Sequence, residues 1–383
     1  MYNILKLNEI SPLVNNILTK DYNLTNECDT PDGIILRSFK MHDYPIAKTL
    51  LAVARAGAGV NNIPLDKMTD AGVVVFNTPG ANANAVKELV LTDMLISNRK
   101  MVDAIEWTAA LDPQSDVAAL VEKGKKAFIG PEIFGKTLGV IGLGAIGRMV
   151  ANSCIDLGMS VIGYDPYLSE DAAKTLNANV KVTTDLNEIF KNSDYITVHV
   201  PLTDTTKYMI NKDSIGLMKD NVRIINCARG ELVNNADIIS ACESGKVAKY
   251  VTDFPCGELI GKKNIIAVPH LGASTPEAED NCAIMAANEL KDYLENGNIV
   301  NSVNFPRLSV AKANNDRLTI AYKNNDNMVG EVTKIVADNM ANIATATRGN
   351  VGYMIIDLKK SIESKKLDEI QKLAGVLKVR VID

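Results

Sequence analysis

The sequence predicts an α/β protein: two doubly wound parallel-sheet domains followed by a small ferredoxin-like domain. Three observations carry this. Short apolar runs alternate with helix-period stretches over most of the 383 residues, the pattern of parallel strands joined by crossover helices. A glycine-rich turn, GLGAIG, follows one apolar run directly and opens a helical stretch, as a dinucleotide-binding unit requires. The final part of the chain, from about Asp316, reads strand, helix, strand, strand, helix, strand, the split βαβ order of a ferredoxin-like fold.

In chain order the apolar runs predict strands at 4–7, 33–36, 51–54 and 73–76, then at 137–141, 160–164, 195–199, 223–226, 249–253 and 264–268. They fall into two sets. Between the sets, residues 83–104 (ANAVKELVLTDMLISNRKMVDA) repeat apolar residues at helical spacing and predict one helix joining two domains. A second long helix is expected at 276–295, opened by Pro276 in its first turn. It returns the chain to the first domain. The expected organisation is therefore a discontinuous domain of 1–92 with 273–305, an inserted domain of 93–272, and a third of 314–383.

Composition narrows the function. Charged residues make up 23% and the net charge is −5, which gives no bulk attraction to nucleic acid or to an anionic membrane. The six cysteines form no CxxC pair and no metal-like spacing, so they read as reduced thiols with no metal site. The N-terminus lacks the basic and apolar regions of a secretory signal, and no apolar run approaches the length of a membrane helix. A cytoplasmic protein acting on a small molecule is expected.

GLGAIG places glycines at 142, 144 and 147 after the run TLGVI. Gly142 allows the tight turn, Gly144 lets backbone approach a pyrophosphate, and Gly147 lets the helix pack closely on the sheet. The next strand ends in Asp165, 18 residues after Gly147, where an acid grips ribose hydroxyls and repels a 2′-phosphate. NAD is thus the expected cofactor. Read without the glycines, Asp165 would be an ordinary strand-end cap.

Hydride transfer from an alcohol needs a base for the hydroxyl proton, and histidine titrates nearest working pH. The chain has three. His42 lies in MHDYP, a polar helix start by its pattern. His199, in ITVHVPL, and His270, in PHLGAST, both follow strands, where ligands of such sheets bind. Glu258 lies 12 residues before His270 and could orient its ring; an exposed loop glutamate is the plainer reading. Arg229, directly after a buried strand in INCARGELV, suits bidentate grip of a carboxylate.

The segments GKTLGVIGLGAIGR, GYDP, ITVHVPL, INCARGELV and PHLGAST, with RAGAGVNN and NTPGANANAVKELV upstream, resemble the D-isomer-specific 2-hydroxyacid dehydrogenases. Within that family they are most similar to the branch that oxidises 3-phospho-D-glycerate. The resemblance runs through Phe305 and implies two Rossmann/flavodoxin-like domains. It also implies a catalytic Arg229, Glu258, His270 triad, with the family's Arg-to-Glu spacing of 29 met by 258 − 229. It adds Ala145, Ile146, Pro201, Cys227, Ala228, Asp253 and Ala273 along NAD, and substrate loops at Arg37, Ser38, Arg55, Gly57, Ala58 and Gly59. The C-terminal part resembles an ACT domain, which implies an L-serine effector at Asn324 and Asn342 and a homodimer or homotetramer. Tyr322 and Asp326 depart from that family's usual histidine and proline. Two other readings stay open: a glyoxylate or hydroxypyruvate reductase on the same scaffold, and an NAD-sensing binding protein.

Overall fold

The computed structural model describes residues 1–312, 315–324 and 327–383; Asp326 lies outside them. The chain divides into two compact units, Met1–Asn82 with Pro276–Asp383, and Ala83–Thr275.

The first unit holds two sheets. One consists of β1 (Tyr2–Leu7), β2 (Tyr22–Thr25), β3 (Gly33–Leu36), β4 (Ala52–Arg55) and β5 (Val74–Phe76), all parallel in the order β2-β1-β3-β4-β5. Its central strands are buried on both faces, and the helix Pro276–Asn296 closes one of them through Ala283, Ala287 and Leu290. That helix starts and ends within a residue of its sequence expectation. β2, four mostly polar residues at the sheet edge, carries no apolar run and was not foreseen.

The second sheet contains β6 (Thr137–Ile141), β7 (Ser160–Tyr164), β8 (Lys181–Thr183), β9 (Tyr195–Val198), β10 (Val222–Asn226), β11 (Val247–Thr252) and β12 (Ile265–Ala267). It makes up the core of the Ala83–Thr275 unit. The order is β12-β11-β10-β9-β6-β7-β8, all parallel. Strand order reverses between β6 and β9, the switch point at which such sheets bind ligands. β8, short and exposed at the edge, was also unforeseen.

The expected single helix over 83–104 is broken. Ala83–Asn98 forms one helix, Lys100 takes a left-handed backbone (φ 47°), and Met101–Ala109 forms another. A left-handed residue ends helical hydrogen bonding, so the apolar periodicity continues across a bend. The MHDYP segment is a turn closed by the Tyr44 N–H donating to the Met41 carbonyl, not a helix start.

The C-terminal residues form β13 (Arg317–Lys323), β14 (Met340–Arg348), β15 (Val351–Leu358) and β16 (Val376–Ile382), antiparallel in the order β14-β15-β13-β16. This is the ferredoxin-like arrangement. Its helices, Met328–Val336 and Ser364–Gln371, cover one face with Val332, Val336 and Ile370. The other face joins the core of the first sheet, where Ala321, Tyr353 and Ile355 meet Phe76, Leu290 and Tyr293. Arg317, fully buried, fastens this junction: Nε pairs with Asp357 at 2.7 Å, and the guanidinium donates to the carbonyls of Asn296, Val310 and Ala311. Burying an arginine is tolerable only with such complete pairing.

Candidate active site

Six strand ends of the second sheet build the site. After β6 the chain turns at Gly142, whose φ of 94° suits glycine, and its N–H donates to the Tyr164 carbonyl at 2.8 Å. A side chain there would also strike the His199 carbonyl. Gly147, in the first turn of the helix Ala145–Asp156, lies so close to the Gly142 carbonyl that no Cβ fits between them. Gly144 caps that helix without any side-chain bond and has open space around it. Exposed Ala145 and half-buried Ile146 follow it. The helix amides are therefore accessible to an anion. A pyrophosphate fits this cradle.

Asp165, just past β7, fixes the turn. Its Oδ2 accepts from the Leu143 N–H at 3.0 Å and its Oδ1 from the Tyr167 N–H at 2.9 Å. Each oxygen keeps a lone pair that a ribose hydroxyl could use, so the capping role leaves the expected cofactor role open.

β9 leads into His199, whose imidazole Nε2 lies 3.0 Å from Thr197 Oγ1 while Nδ1 is buried without a partner. Its surroundings push its pKa down to about 4, which leaves the ring neutral near pH 7. Beyond it Pro201, exposed, shapes a turn by accepting from Thr206 Oγ1 at 2.7 Å.

At the end of β10 a buried amide organises the next three residues. Asn226 Oδ1 accepts from the Ala228 N–H at 3.1 Å and Nδ2 donates to the Arg229 carbonyl at 2.8 Å. The resulting turn sends Cys227 inward, leaves Ala228 half-buried, and exposes Arg229. Among the described residues no carboxylate pairs with the Arg229 guanidinium, which donates only to the adjacent Ala228 carbonyl. Beside it opens a cavity of about 310 Å³ lined by Gly230, Asn235, Phe254 and Cys256 among others.

Asp253, just past the end of β11, is 1% exposed. Its carboxylate accepts from the backbone N–H groups of Leu271 (2.5 Å) and Gly272 (2.8 Å). Burial raises its pKa, and those amides and nearby His270 oppose the rise. Asp253 thereby anchors the loop that follows β12. On that loop His270 is exposed, has a left-handed backbone (φ 56°), and packs on the Phe254 ring with centroids 4.9 Å apart. Ala273, half-buried, closes the same loop.

The expected Glu258–His270 hydrogen bond is not formed. Glu258 Oε2 accepts instead from Asn235 Nδ2 at 2.8 Å. The next residue, Leu259, is buried in the sheet core and fixes the short loop. Glu258 is left at the start of the helix Asn235–Ser244, where the helix dipole favours a carboxylate.

Asp93 was missed by sequence reading, because it sits in an apolar helical repeat. It is fully buried on the helix Ala83–Asn98. Its Oδ2 accepts from Cys227 Sγ at 3.2 Å and its Oδ1 has no partner. Such an orphaned carboxylate is a strong sign of special chemistry, but only tertiary structure reveals it.

In the first unit the expected substrate residues also lie at the carboxyl ends of parallel strands. Arg37, after β3, is ion-paired with Glu279. Exposed Ser38 donates its N–H to Asn8 Oδ1 at 3.2 Å. Arg55, ending β4, donates from Nε to Asn62 Oδ1 at 3.1 Å. The Gly57 N–H donates to Thr78 Oγ1 at 2.8 Å, and Asn77 Nδ2 donates to the Ala58 carbonyl at 2.6 Å. Gly59 completes the turn, half-buried.

Within one copy the effector residues do not converge. Asn324 follows β13 and donates to the Gly349 carbonyl at 3.3 Å, whereas Asn342 lies opposite Asp357 near the far end of β15. The six residues between their levels on β15 amount to roughly 20 Å of strand. Tyr322 is buried against Gly352, its hydroxyl 3.1 Å from Thr345 Oγ1. Among the described residues, no cluster of His, Cys, Asp or Glu is arranged for a metal, and no helix is long and apolar enough to cross a membrane.

Residues 91–272 match the family model of the D-isomer specific 2-hydroxyacid dehydrogenase NAD binding domain. D-3-phosphoglycerate dehydrogenase of Methanocaldococcus jannaschii is 35% identical over 340 residues, covering 86% of this chain and 62% of that protein. The enzyme of the same name from Bacillus subtilis is 35% identical over 294 residues, covering 74% of this chain and 53% of its own. The chain thus spans between about half and three fifths of the length of these relatives. The NAD+-bound 3-phosphoglycerate dehydrogenase of Entamoeba histolytica superposes with a TM-score of 0.62 at 25% identity, covering 79% of this chain and 98% of that one.

Proposed function

With the NAD-binding domain of the D-isomer-specific 2-hydroxyacid dehydrogenases in residues 91–272, we propose that this chain oxidises 3-phospho-D-glycerate to 3-phosphohydroxypyruvate. One observation carries the reading. An exposed histidine and an arginine with no carboxylate partner among the described residues stand at the carboxyl ends of β12 and β10, on the sheet whose glycine turn and Asp165 suit NAD.

NAD supplies the acceptor for the hydride that leaves C2. Arg229 holds the substrate carboxylate through its planar guanidinium. His270 takes the C2 hydroxyl proton as the carbonyl forms and returns it in the reverse direction. Asp253, by binding the Leu271 and Gly272 amides, holds the His270 loop in place. The helix Ala145–Asp156 and Asp165 orient the cofactor. Glu258 contributes to this triad by exchanging Asn235 for the His270 ring. In the first unit Arg55 and the Gly57–Gly59 turn receive the phosphate end, joined by Arg37 when it leaves Glu279.

The pairing of Arg37 with Glu279 favours a second reading, in which an unphosphorylated acid such as glyoxylate or hydroxypyruvate is the substrate. Following NADH loss with 3-phosphohydroxypyruvate, glyoxylate and hydroxypyruvate decides between them. The phosphorylated acid is expected to turn over fastest; equal rates on all three overturn the leading reading. Repeating the assay with L-serine, and sizing the protein in solution, tests an effector site completed between copies of a homodimer or homotetramer in the cytoplasm.

A further inference from the structure

Two buried carboxylates stand together in the Ala83–Thr275 unit, and backbone amides hold only one of them. The order of the sheet says what lies over them. The turn after β6 suits the pyrophosphate and Asp165 after β7 suits the adenosine ribose. The nicotinamide half therefore falls to the other side, across the ends of β9, β10 and β11. Cys227 and Asp253 lie just past the ends of β10 and β11, and Asp93 backs Cys227 at 3.2 Å. Asp253 has two amide donors, whereas Asp93 has one thiol and a second oxygen with no partner.

We propose that Asp93 is a proton-linked charge that sets the preference of this site between oxidised and reduced cofactor. Protonated, it leaves the pocket wall suited to the neutral reduced ring; ionised, it favours the cationic oxidised ring. The inference rests on the NAD-binding reading of residues 91–272.

Burial pushes the Asp93 pKa up to about 7; Asp253 adds to the rise and the Cys227 hydrogen bond opposes it. Asp93 therefore gains its charge as pH increases through neutrality. Its neighbours leave that charge uncompensated. Burial keeps the Cys227 and Cys154 thiols protonated, and His199 is neutral with its pKa near 4. Arg223 and Lys249 lie toward the amino ends of β10 and β11, engaged with the Ser97 carbonyl and with Asp103. Lys87 and Glu88, near the start of the Asp93 helix, pair with each other. His270 lies beyond Asp253 and faces solvent.

The experiment measures NAD+ and NADH affinity by calorimetry at pH 6, 7 and 8, in buffers of different ionisation enthalpy, for the full chain and for Asp93→Asn. In the unaltered protein the affinity ratio of NAD+ to NADH is expected to rise about fivefold or more from pH 6 to pH 8, the low end of typical site coupling. NAD+ binding at pH 7 should release protons and NADH binding should not. Asp93→Asn should flatten the ratio and abolish the release. A ratio independent of pH in the unaltered protein, or a pH dependence that survives in Asp93→Asn, overturns the proposal. Should that variant fail to fold, carbon-13 labelling of aspartate carboxyls in the unaltered protein decides. One buried carboxyl titrating near neutrality must drop in pKa with NAD+ and not with NADH; any other response overturns it. Failure to bind either cofactor would overturn the NAD-binding reading itself, which the other outcomes leave intact.

Discussion

Two parallel sheets in this chain present their carboxyl ends in opposite states of readiness. In the second, Asp165, Asn226 and Asp253 spend their polar atoms on backbone amides and carbonyls, and among the described residues Arg229 has no carboxylate partner. In the first, Arg37 is tied to Glu279 and Arg55 donates to Asn62. The glycine turn and its neighbours are thus built before any ligand arrives, whereas the arginines proposed for the substrate phosphate hold their charge in internal pairs. Preorganised dipoles need no rearrangement when charge develops; an ion pair has to be exchanged for the ligand, which lowers affinity and sharpens discrimination.

Breaking the cofactor side should have the largest effect. His270→Ala is expected to lower turnover at least about 100-fold, as loss of a general acid/base does, with NAD affinity little changed. A rate within a few-fold of the unaltered protein would remove His270 from the chemistry. Asp165→Ala comes next. Losing the ribose grip together with a fixture of the glycine turn is expected to raise the KM for NAD about tenfold and to narrow the margin over NADP, in line with the worth of a charged hydrogen bond. Steady-state kinetics with both cofactors checks this, and an unchanged NAD to NADP ratio would reduce Asp165 to a turn residue. Glu279→Gln sharpens the comparison from the other side. Releasing Arg37 should lower the KM for the phosphorylated acid by about two- to fivefold, the scale of a half-exposed ion pair, and leave glyoxylate unaffected. An equal change for both acids would mean that Arg37 does not see the phosphate.

Much of this layout was legible in the sequence, for identifiable reasons. Strands buried on both faces announce themselves as apolar runs, and 33–36 and 137–141 coincide with β3 and β6. β2 and β8 were invisible because edge strands need no apolar face. The bend at Lys100 was hidden because helical periodicity continues on either side of it. In the site, Gly142 and Gly147 were readable as turn and packing positions since their constraints are local. The partner of Glu258 was not, because which amide a loop carboxylate finds depends on where Leu259 anchors the loop. Asp93 was unreadable for a related reason: one acid in an apolar repeat looks like a lapse in the pattern until Cys227 is placed against it.

The junction fastened by Arg317 has a consequence for the order in which the molecule is made. The unit Ala83–Thr275 is one unbroken stretch of chain, complete as soon as its last strand is synthesised. The other unit needs Met1–Asn82, the helix Pro276–Asn296, and residues as late as Tyr353 and Arg380, which donate to the carbonyls of Gly297, Tyr293 and Leu294. Since domains fold as units during synthesis, Met1–Asn82 cannot settle into that unit until the helix Pro276–Asn296 and the strands carrying Tyr353 and Arg380 have followed.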